Sequence, residues 1–146
     1  MCSKRRNSDS GEQIEFPYQK EKSKLFGEIY RPVAKFEIVT KLGWIPIIAY
    51  VDSGADVTLL PASFIKVLEI KMEEEEIKEI RGIGDAKVPV IIKDVKMKIG
   101  DVAFIAKVAI ALIEDVPYLL GREGVFDKFE ICFKQKEKIV YFKQAK

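Results

Sequence analysis

Histidine is absent from this chain of 146 residues, and cysteine is scarce. Without imidazole there is no Ser-His-Asp triad, no Cys-His pair and no histidine zinc site. Cys2 and Cys132 are too few for a zinc knuckle or for a disulfide framework. Any chemistry must therefore use carboxylates, amines, hydroxyls or two thiols, and we expect no cofactor and no metal.

An excess of one charge and long apolar runs are also missing. The chain has 25 Lys and Arg against 23 Asp and Glu, so its field attracts nucleic acid or anionic membrane only weakly. The longest apolar stretch, Val102 to Ile113, contains Lys107 and is shorter than the ~20 residues of a bilayer-spanning helix. We expect a soluble, cytoplasmic protein with no nucleic-acid and no membrane partner.

The length and the 48% hydrophobic composition are those of one globular domain. Residues 1–24 are mostly polar and charged, which predicts a flexible N-terminal tail followed by a domain over residues 25–146. Cys132 lies in an alternating segment, which favours a buried packing role over a redox switch.

Strand patterns dominate the predicted domain. Two nearly continuous apolar runs, 44–51 and 102–112, predict strands that are covered on both faces. Short helices are predicted after Pro61 and after Gly121, while residues 71–80 are compatible with a helical turn or an exposed strand. The chain is therefore predicted to be mainly β with one or two short helices. The alternating segments that predict further strands are 34–39, 95–99, 129–133 and 138–142.

Asp52-Ser53-Gly54 directly follows the first of these buried runs and precedes Ala55. An aspartate at this place leaves a hydrophobic strand and enters a tight turn, where Gly54 has backbone freedom that other residues lack. Taken alone, the tripeptide is more typical of an Asx turn than of a catalytic site.

Two later segments change this interpretation. Residues 79–90 predict a strand, a glycine-rich tip at Gly82-Ile83-Gly84 and a second strand, which together form a hairpin arm. A nucleotide-binding role for this tip is disfavoured, because neither a third glycine nor a Lys-Ser/Thr pair follows. Residues 118–122, Tyr-Leu-Leu-Gly-Arg, form an apolar strand end with a glycine.

In order and spacing these three segments resemble the retropepsin-like aspartic proteases, the family of the retroviral proteases and of the protease domain of DNA-damage-inducible proteins. The similarity spans roughly residues 33–142, and its closing strand pair is more like that of the DNA-damage-inducible branch. The resemblance implies a closed, barrel-like β fold, homodimerisation, and hydrolysis of peptide or unfolded protein in a cleft between the subunits.

The resemblance also implies a role for each matching position. Asp52 would be catalytic, and Ser53, Gly54 and Ala55 would support the catalytic loop. The residues that would contact substrate are Gly54, Asp56, Gly82, Ile83 and Gly84, the last three at the tip of a flap. Asp56 would also pair with Arg122, and we favour a structural role for that pair. Apolar candidates for pocket walls, each more typical of plain core, are Val57, Ile83, Val88 and Leu119.

Hydrolysis by carboxylates requires two of them sharing one proton, so that one activates water and the other polarises the carbonyl. The chain has one Asp-Ser-Gly and is too short for two lobes, so the second Asp52 is expected from a second copy. Two alternatives stay open. One is a catalytically silent dimer that binds peptides in the same cleft; the other, which we disfavour, is a Ser53 nucleophile with a lysine base.

Overall fold

The computed structural model of the protein describes residues 2, 13–71, 73, 76–81 and 86–145. Within these ranges no helix is long and apolar enough to span a membrane. The elements are β1 (Gln13–Pro17), β2 (Gln19–Ser23), β3 (Gly27–Arg31), β4 (Val33–Thr40), β5 (Gly43–Val51), β6 (Thr58–Leu60), α1 (Ser63–Val67), β7 (Ile77–Arg81), β8 (Lys87–Ile99), β9 (Val102–Ala111), β10 (Leu119–Leu120), β11 (Phe129–Lys134) and β12 (Ile139–Gln144).

Six of the strands close into a barrel. Each strand in the order β4, β5, β10, β6, β9 and β8 is hydrogen-bonded to the next, and β8 pairs back to β4 through Ile38 and Met97. The strand β7 extends β8 outside this ring. Closure gives every barrel strand two neighbours, which satisfies backbone groups that an open edge would expose. The predicted mainly β, barrel-like fold is confirmed.

Alternation along the strands fills the barrel with apolar side chains. The strands β8 and β9 are joined by the two-residue turn Gly100-Asp101, where Gly100 has φ of +59°, in the region that favours glycine. The inward positions of β4 and β8 are Ala34, Phe36, Ile38, Val95, Met97 and Ile99.

The N-terminal segment differs from the expected tail. Residues 13–17 form β1, which pairs with β12 along its whole length, and residues 19–23 form β2, which pairs with β3. Ile14 and Phe16 lie two residues apart in β1 and pack against the core, and Tyr18 is buried. These three apolar side chains anchor the segment, so residues 13–24 belong to the fold, while residues 3–12 lie outside the described ranges.

The two helix predictions have different outcomes. The predicted helix after Pro61 is α1, and its Phe64 is buried. After Gly121 the chain forms a bend at residue 122 and turns over residues 123–128 instead of a helix. Gly124 has φ of +72°, which interrupts helical backbone there, although Val125 is still buried as expected. The ambiguous stretch 71–80 ends in a strand, since Ile77–Arg81 is β7.

Two further expectations differ from the structure. The runs 44–51 and 102–112 were expected to be covered on both faces, but Ile48 in β5 is 58% exposed and Ile105 in β9 is 64% exposed, because one face of each strand is open to solvent at these positions. Cys132 was expected to be a buried packing residue rather than a redox switch. It is buried in β11, as expected, but it is not a free thiol, because its sulfur forms a disulfide with Cys2.

Candidate active site

Asp52 lies where β5 leaves the barrel. Its backbone N–H donates to the carbonyl of Leu120 at 3.1 Å, which continues the parallel pairing of β5 with β10 one residue beyond Val51. The side chain is half-buried. The hydrogen bonds between β5 and β10 therefore hold the Cα of Asp52 in place, and the carboxylate remains partly open to solvent.

A tight turn orients the Asp52 carboxylate. The N–H of Gly54 donates to Asp52 Oδ1 at 2.9 Å, and the N–H of Ala55 donates to the Asp52 carbonyl at 3.2 Å. The first of these bonds is that of an Asx turn, the structure that is typical of a lone Asp-Ser-Gly. Ser53 and Gly54 are exposed at the surface. The turn thus presents the carboxylate, the hydroxyl and the glycine backbone side by side.

A buried hydrogen bond fixes this turn to the segment after β10. The N–H of Gly121 donates to Thr58 Oγ1 at 3.0 Å, and Thr58 is fully buried. A Cβ on Gly121 would lie 2.3 Å from the carbonyl carbon of Val57, so the two segments touch only because position 121 is glycine. Thr58 belongs to the motif that carries the family resemblance, but its role could not be predicted, because a threonine at the start of a strand carries no specific signal.

Asp56 and Arg122 are in contact, as the resemblance implies. Arg122 Nη2 donates to Asp56 Oδ1, and the N–H of Glu123 donates to the Asp56 carbonyl at 2.8 Å. The N–H of Arg122 also donates to the carbonyl of Ala55 at 3.0 Å. The Asp56 side chain is 87% exposed, so water screens the pair and it adds little to stability. Backbone bonds are therefore the main link between the two segments here.

The arms of the predicted flap form a hairpin. The strands β7 and β8 pair from Ile77 opposite Ile91 to Arg81 opposite Lys87. Lys87 Nζ lies 3.9 Å from a carboxylate oxygen of Glu79 on the neighbouring strand. The predicted tip, Gly82-Ile83-Gly84, lies outside the described residues.

A small apolar cluster includes residues from these arms and from the strands β6 and β10. Its buried members are Leu59, Val90, Ala109 and Ala111. The partly buried residues that pack against it include Val57, Val88 and Leu119, three of the predicted pocket walls. Because these three side chains are only partly covered, they leave apolar surface next to the turn. The fourth predicted wall, Ile83, is at the tip outside the described residues.

A second polar contact lies on the other side of Asp52. The hydroxyl of Tyr50, two residues before Asp52, donates to Glu21 Oε2 at 2.6 Å, and the Arg31 guanidinium lies 6.0 Å from the centre of the Tyr50 ring. The hydrogen bond to Glu21, and then burial, raises the pKa of Tyr50 above its ordinary value of 10.0. Glu21 lies in the segment predicted to be a tail, so this contact could not be anticipated from the sequence.

The structure thus brings together most of the predicted site. Asp52, Ser53, Gly54, Ala55, Asp56 and Arg122 form one continuous surface around the turn and the segment after β10. Their catalytic, supporting and substrate-binding roles stay predictions. Across the described ranges no cluster of three His, Cys, Asp or Glu side chains is arranged to hold a metal ion.

A model of the retroviral aspartyl protease family matches residues 28–128, which is 101 of the 146 residues. The chain therefore belongs to this family of retropepsin-like aspartic proteases. No curated protein matched the chain in sequence.

Two solved structures share the fold. A retropepsin-like aspartic protease from Rickettsia conorii is similar over 96% of this chain and 100% of its own, with 16% identity and a TM-score of 0.57. The EIAV protease, solved in complex with an inhibitor, is similar over 63% of this chain and 82% of its own, with 23% identity and a TM-score of 0.50.

Proposed function

We propose that the protein is an aspartic endopeptidase that works as a homodimer, with one Asp52 from each copy forming the catalytic pair. The observation that carries the proposal is the Asp52 turn. The N–H of Gly54 donates to Asp52 Oδ1, and the Asp52 backbone is hydrogen-bonded to Leu120. These two bonds give the carboxylate a fixed direction at a surface that is partly open to solvent. Membership of an aspartic protease family supports the same chemistry.

The two-fold axis of the proposed dimer passes between the two Asp52 side chains. Two carboxylates at such a short distance share one proton, because two negative charges side by side are unfavourable. The ionised member takes a proton from water, the water oxygen attacks the peptide carbonyl, and the protonated member donates to the carbonyl oxygen. In the resulting tetrahedral intermediate the carboxylic acid formed from the first member donates its proton to the amide nitrogen, the C–N bond breaks, and the other carboxylate takes a proton back as the carbonyl re-forms. Water is the nucleophile, so no acyl-enzyme forms.

The substrate of the proposed enzyme is an extended peptide or an unfolded protein segment. The apolar surface of Val57, Val88 and Leu119 accepts apolar side chains beside the turn. The backbone of Gly54 is exposed next to Asp52 and is available to the main chain of the substrate. The arms of β7 and β8 carry the glycine-rich tip, for which we propose the role of a flap that covers the bound peptide and excludes water.

Digestion of a peptide library by wild type and by Asp52→Asn tests the proposal. The change replaces a carboxylate oxygen with an amide nitrogen at equal size, so the fold and the dimer are expected to remain while cleavage is lost. Asp101→Asn, in the exposed turn between β8 and β9, is the matched control and is expected to cleave like wild type. A transition-state mimic of aspartic proteases should inhibit both active proteins.

The results also decide between the proposal and a silent binding module. Cleavage by Asp52→Asn at the wild-type rate would contradict a catalytic role for Asp52. Peptide binding by wild type without turnover from acid to neutral pH would assign the cleft to peptide binding alone.

A further inference from the structure

The two cysteines of the chain form a disulfide that joins residue 2 to β11. Cys2 and Cys132 are 130 positions apart in sequence, and their Cα atoms are 5.4 Å apart, which is an ordinary distance for this bond. The loop that the bond closes therefore contains every strand from β1 to β10. Neither sulfur belongs to the Asp52 turn, and the proposed proteolysis does not use them.

The two cysteines differ in exposure. Cys132 is 2% exposed, whereas Cys2 is exposed at the surface. Side chains alternate along β11, and Phe129 and Ile131 pack in the main core, so Cys132 points to the outer face of the sheet. Its neighbour across the strands, Tyr141, is also buried. The outer face is therefore covered at this point, and Cys2 is bonded there from the solvent side.

The strand β1, which follows Cys2 in sequence, lies at the edge of a sheet. The order of this sheet is β1, β12 and β11, so among the described strands β1 pairs only with β12. Packing of Ile14 and Phe16 on the core adds to that pairing. The barrel strands, by contrast, each have two neighbours. An edge strand near a chain terminus opens more easily than the centre of a fold, and a covalent bond just before it limits that opening.

We propose that the disulfide is a redox-sensitive clasp, which holds β1 on the sheet when it is oxidised and which a low-molecular-weight thiol opens. The thiol attacks the Cys2 sulfur, because exchange requires access to the attacked sulfur and Cys132 is buried. Opening leaves β1 attached by its pairing with β12 and by its apolar packing. The barrel itself stays closed, so the change is local and reversible.

The exchange takes two steps. The thiolate of the small thiol attacks the Cys2 sulfur, the bond to Cys132 breaks, and its electron pair leaves on the Cys132 sulfur, which takes up a proton. A second thiolate then attacks the small-molecule sulfur of the mixed disulfide, and the Cys2 sulfur leaves and is protonated. In total, two small thiols lose their protons and are oxidised to one disulfide, while Cys2 and Cys132 are reduced and gain those protons.

Peptide mapping by mass spectrometry tests the point of attack. Oxidised wild type is treated with reduced glutathione, and samples taken at short times are quenched with acid, alkylated and digested. We expect roughly 10-fold more glutathione adduct on Cys2 than on Cys132. Equal adducts on the two residues, or an excess on Cys132, would contradict the proposal. So would a disulfide that glutathione opens only in urea, because the bond would then be a permanent link within the fold.

Hydrogen exchange of oxidised and reduced wild type measures the effect on the fold. At exchange times for which β8 and β9 stay protected in both states, we expect the amides of β1 to exchange roughly 10-fold faster after reduction. Unchanged protection of β1 would overturn the clasp. Loss of protection in β1 only together with β8 and β9 would overturn it too, because the bond would then stabilise the fold as a whole and not this strand.

Cys2→Ser is the matched variant, since its position is exposed and the change removes only the bond. We expect it to unfold about 5–10 °C below oxidised wild type, because the closed loop is lost from the unfolded chain. Its β1 amides should exchange like those of reduced wild type, with or without glutathione. An effect of glutathione on β1 that persists in Cys2→Ser would contradict the proposal, because the thiol would then act at another place.

Discussion

Thr58 and Gly121 show how single atoms hold the candidate site together. The Thr58 hydroxyl accepts the N–H of Gly121 in a fully buried environment, and this bond joins the strand after the Asp52 turn to the segment that carries Arg122. A buried amide that loses its acceptor has no water to replace it. The geometry of Asp52 therefore depends on a residue that takes no part in the proposed chemistry.

Thr58→Val keeps the shape of the side chain and removes the acceptor. We expect the free energy of unfolding to fall by about 1–3 kcal/mol, because the Gly121 N–H stays buried and unpaired. Urea unfolding measures the change. Thr40→Val is the control: Thr40 Oγ1 makes its bonds in an exposed turn, so a smaller loss is expected there. Equal losses in both variants would contradict the importance of burial.

Tyr50→Phe should change the way that stability depends on alkaline pH. The bond to Glu21 raises the pKa of Tyr50, so the fold favours the neutral phenol. This contribution is fully present below about pH 10 and is lost as the pH rises through the raised folded-state pKa. We expect wild type to be the more stable protein at about pH 8 and its advantage to shrink towards about pH 11.

Urea midpoints of wild type and Tyr50→Phe across this pH range measure the effect. Tyr30→Phe is the control on the same hairpin, because Tyr30 is 40% exposed and its ring contact with Lys138 does not need the hydroxyl. If the difference in urea midpoint between wild type and Tyr50→Phe grew with pH, this explanation would be contradicted.

At the residue scale, local chemistry could be predicted and distant contacts could not. Asp52, Ser53 and Gly54 are adjacent in sequence, so their turn could be anticipated from the tripeptide. The contact of Asp56 with Arg122 was anticipated only through the family resemblance. The bonds from Gly121 to Thr58 and from Tyr50 to Glu21 join residues 63 and 29 positions apart, and no local pattern specifies such pairs.

Among the secondary-structure elements, β1 packs apolar side chains against the core, although the residues around it in sequence are mostly polar. Phe16 packs edge-to-face against Phe142, with ring centres 5.5 Å apart. Ile14 packs directly on Gly100, since a Cβ added to Gly100 would lie only 2.3 Å from the Ile14 Cδ1 atom. The strand also pairs with β12 along its whole length. A segment expected to be a tail is therefore part of the hydrophobic core.

Phe16→Ala should destabilise the fold by about 2–4 kcal/mol, since it removes a partly buried aromatic side chain and its ring contact. Thermal unfolding or urea unfolding measures the loss. Leu42→Ala, at a 96% exposed position, is expected to change stability by less than about 0.5 kcal/mol. A loss for Phe16→Ala as small as that of the control would mean that β1 does not support the core.

Strands and helices were predicted correctly where the local sequence pattern is strong. The alternation in 34–39 and 95–99 predicted strands that the structure contains, because one face of each is buried. The segments 129–133 and 138–142 also contribute strands, although β12 is buried on both faces at Val140, Tyr141 and Phe142. The strand β2, Gln-Lys-Glu-Lys-Ser, has no apolar face, and it is formed through pairing with β3. The helix expected after Gly121 is absent because Gly124 adopts a positive φ that helical backbone does not allow.

At the scale of the whole molecule, the proposed catalytic activity requires two chains. Each copy contributes one Asp52, so a dimer with a single intact aspartate lacks half of the catalytic pair. The closed barrel was predicted only through the family resemblance. Its closure between β4 and β8 joins residues about 60 positions apart, as in the register of Glu37 with Lys98, and composition says nothing about that pairing.

Mixing wild type with Asp52→Asn measures this dependence on two chains. At equal amounts and constant total concentration, random exchange of subunits leaves about a quarter of the dimers with two intact aspartates. We therefore expect about a quarter of the wild-type rate. A mixture of wild type with Asp101→Asn, made in the same way, should keep the full rate. A rate near one half for the first mixture would mean that each chain acts alone.

The pairing of β1 with β12 has a consequence for protein engineering. Gln13 lies opposite Lys143, so the start of the first strand and the end of the last one are neighbours. A short glycine-rich connection between them would yield a circularly permuted chain, opened at the turn of residues 135–138 between β11 and β12. The same proximity provides an attachment point at which a label could be placed on the strand ends.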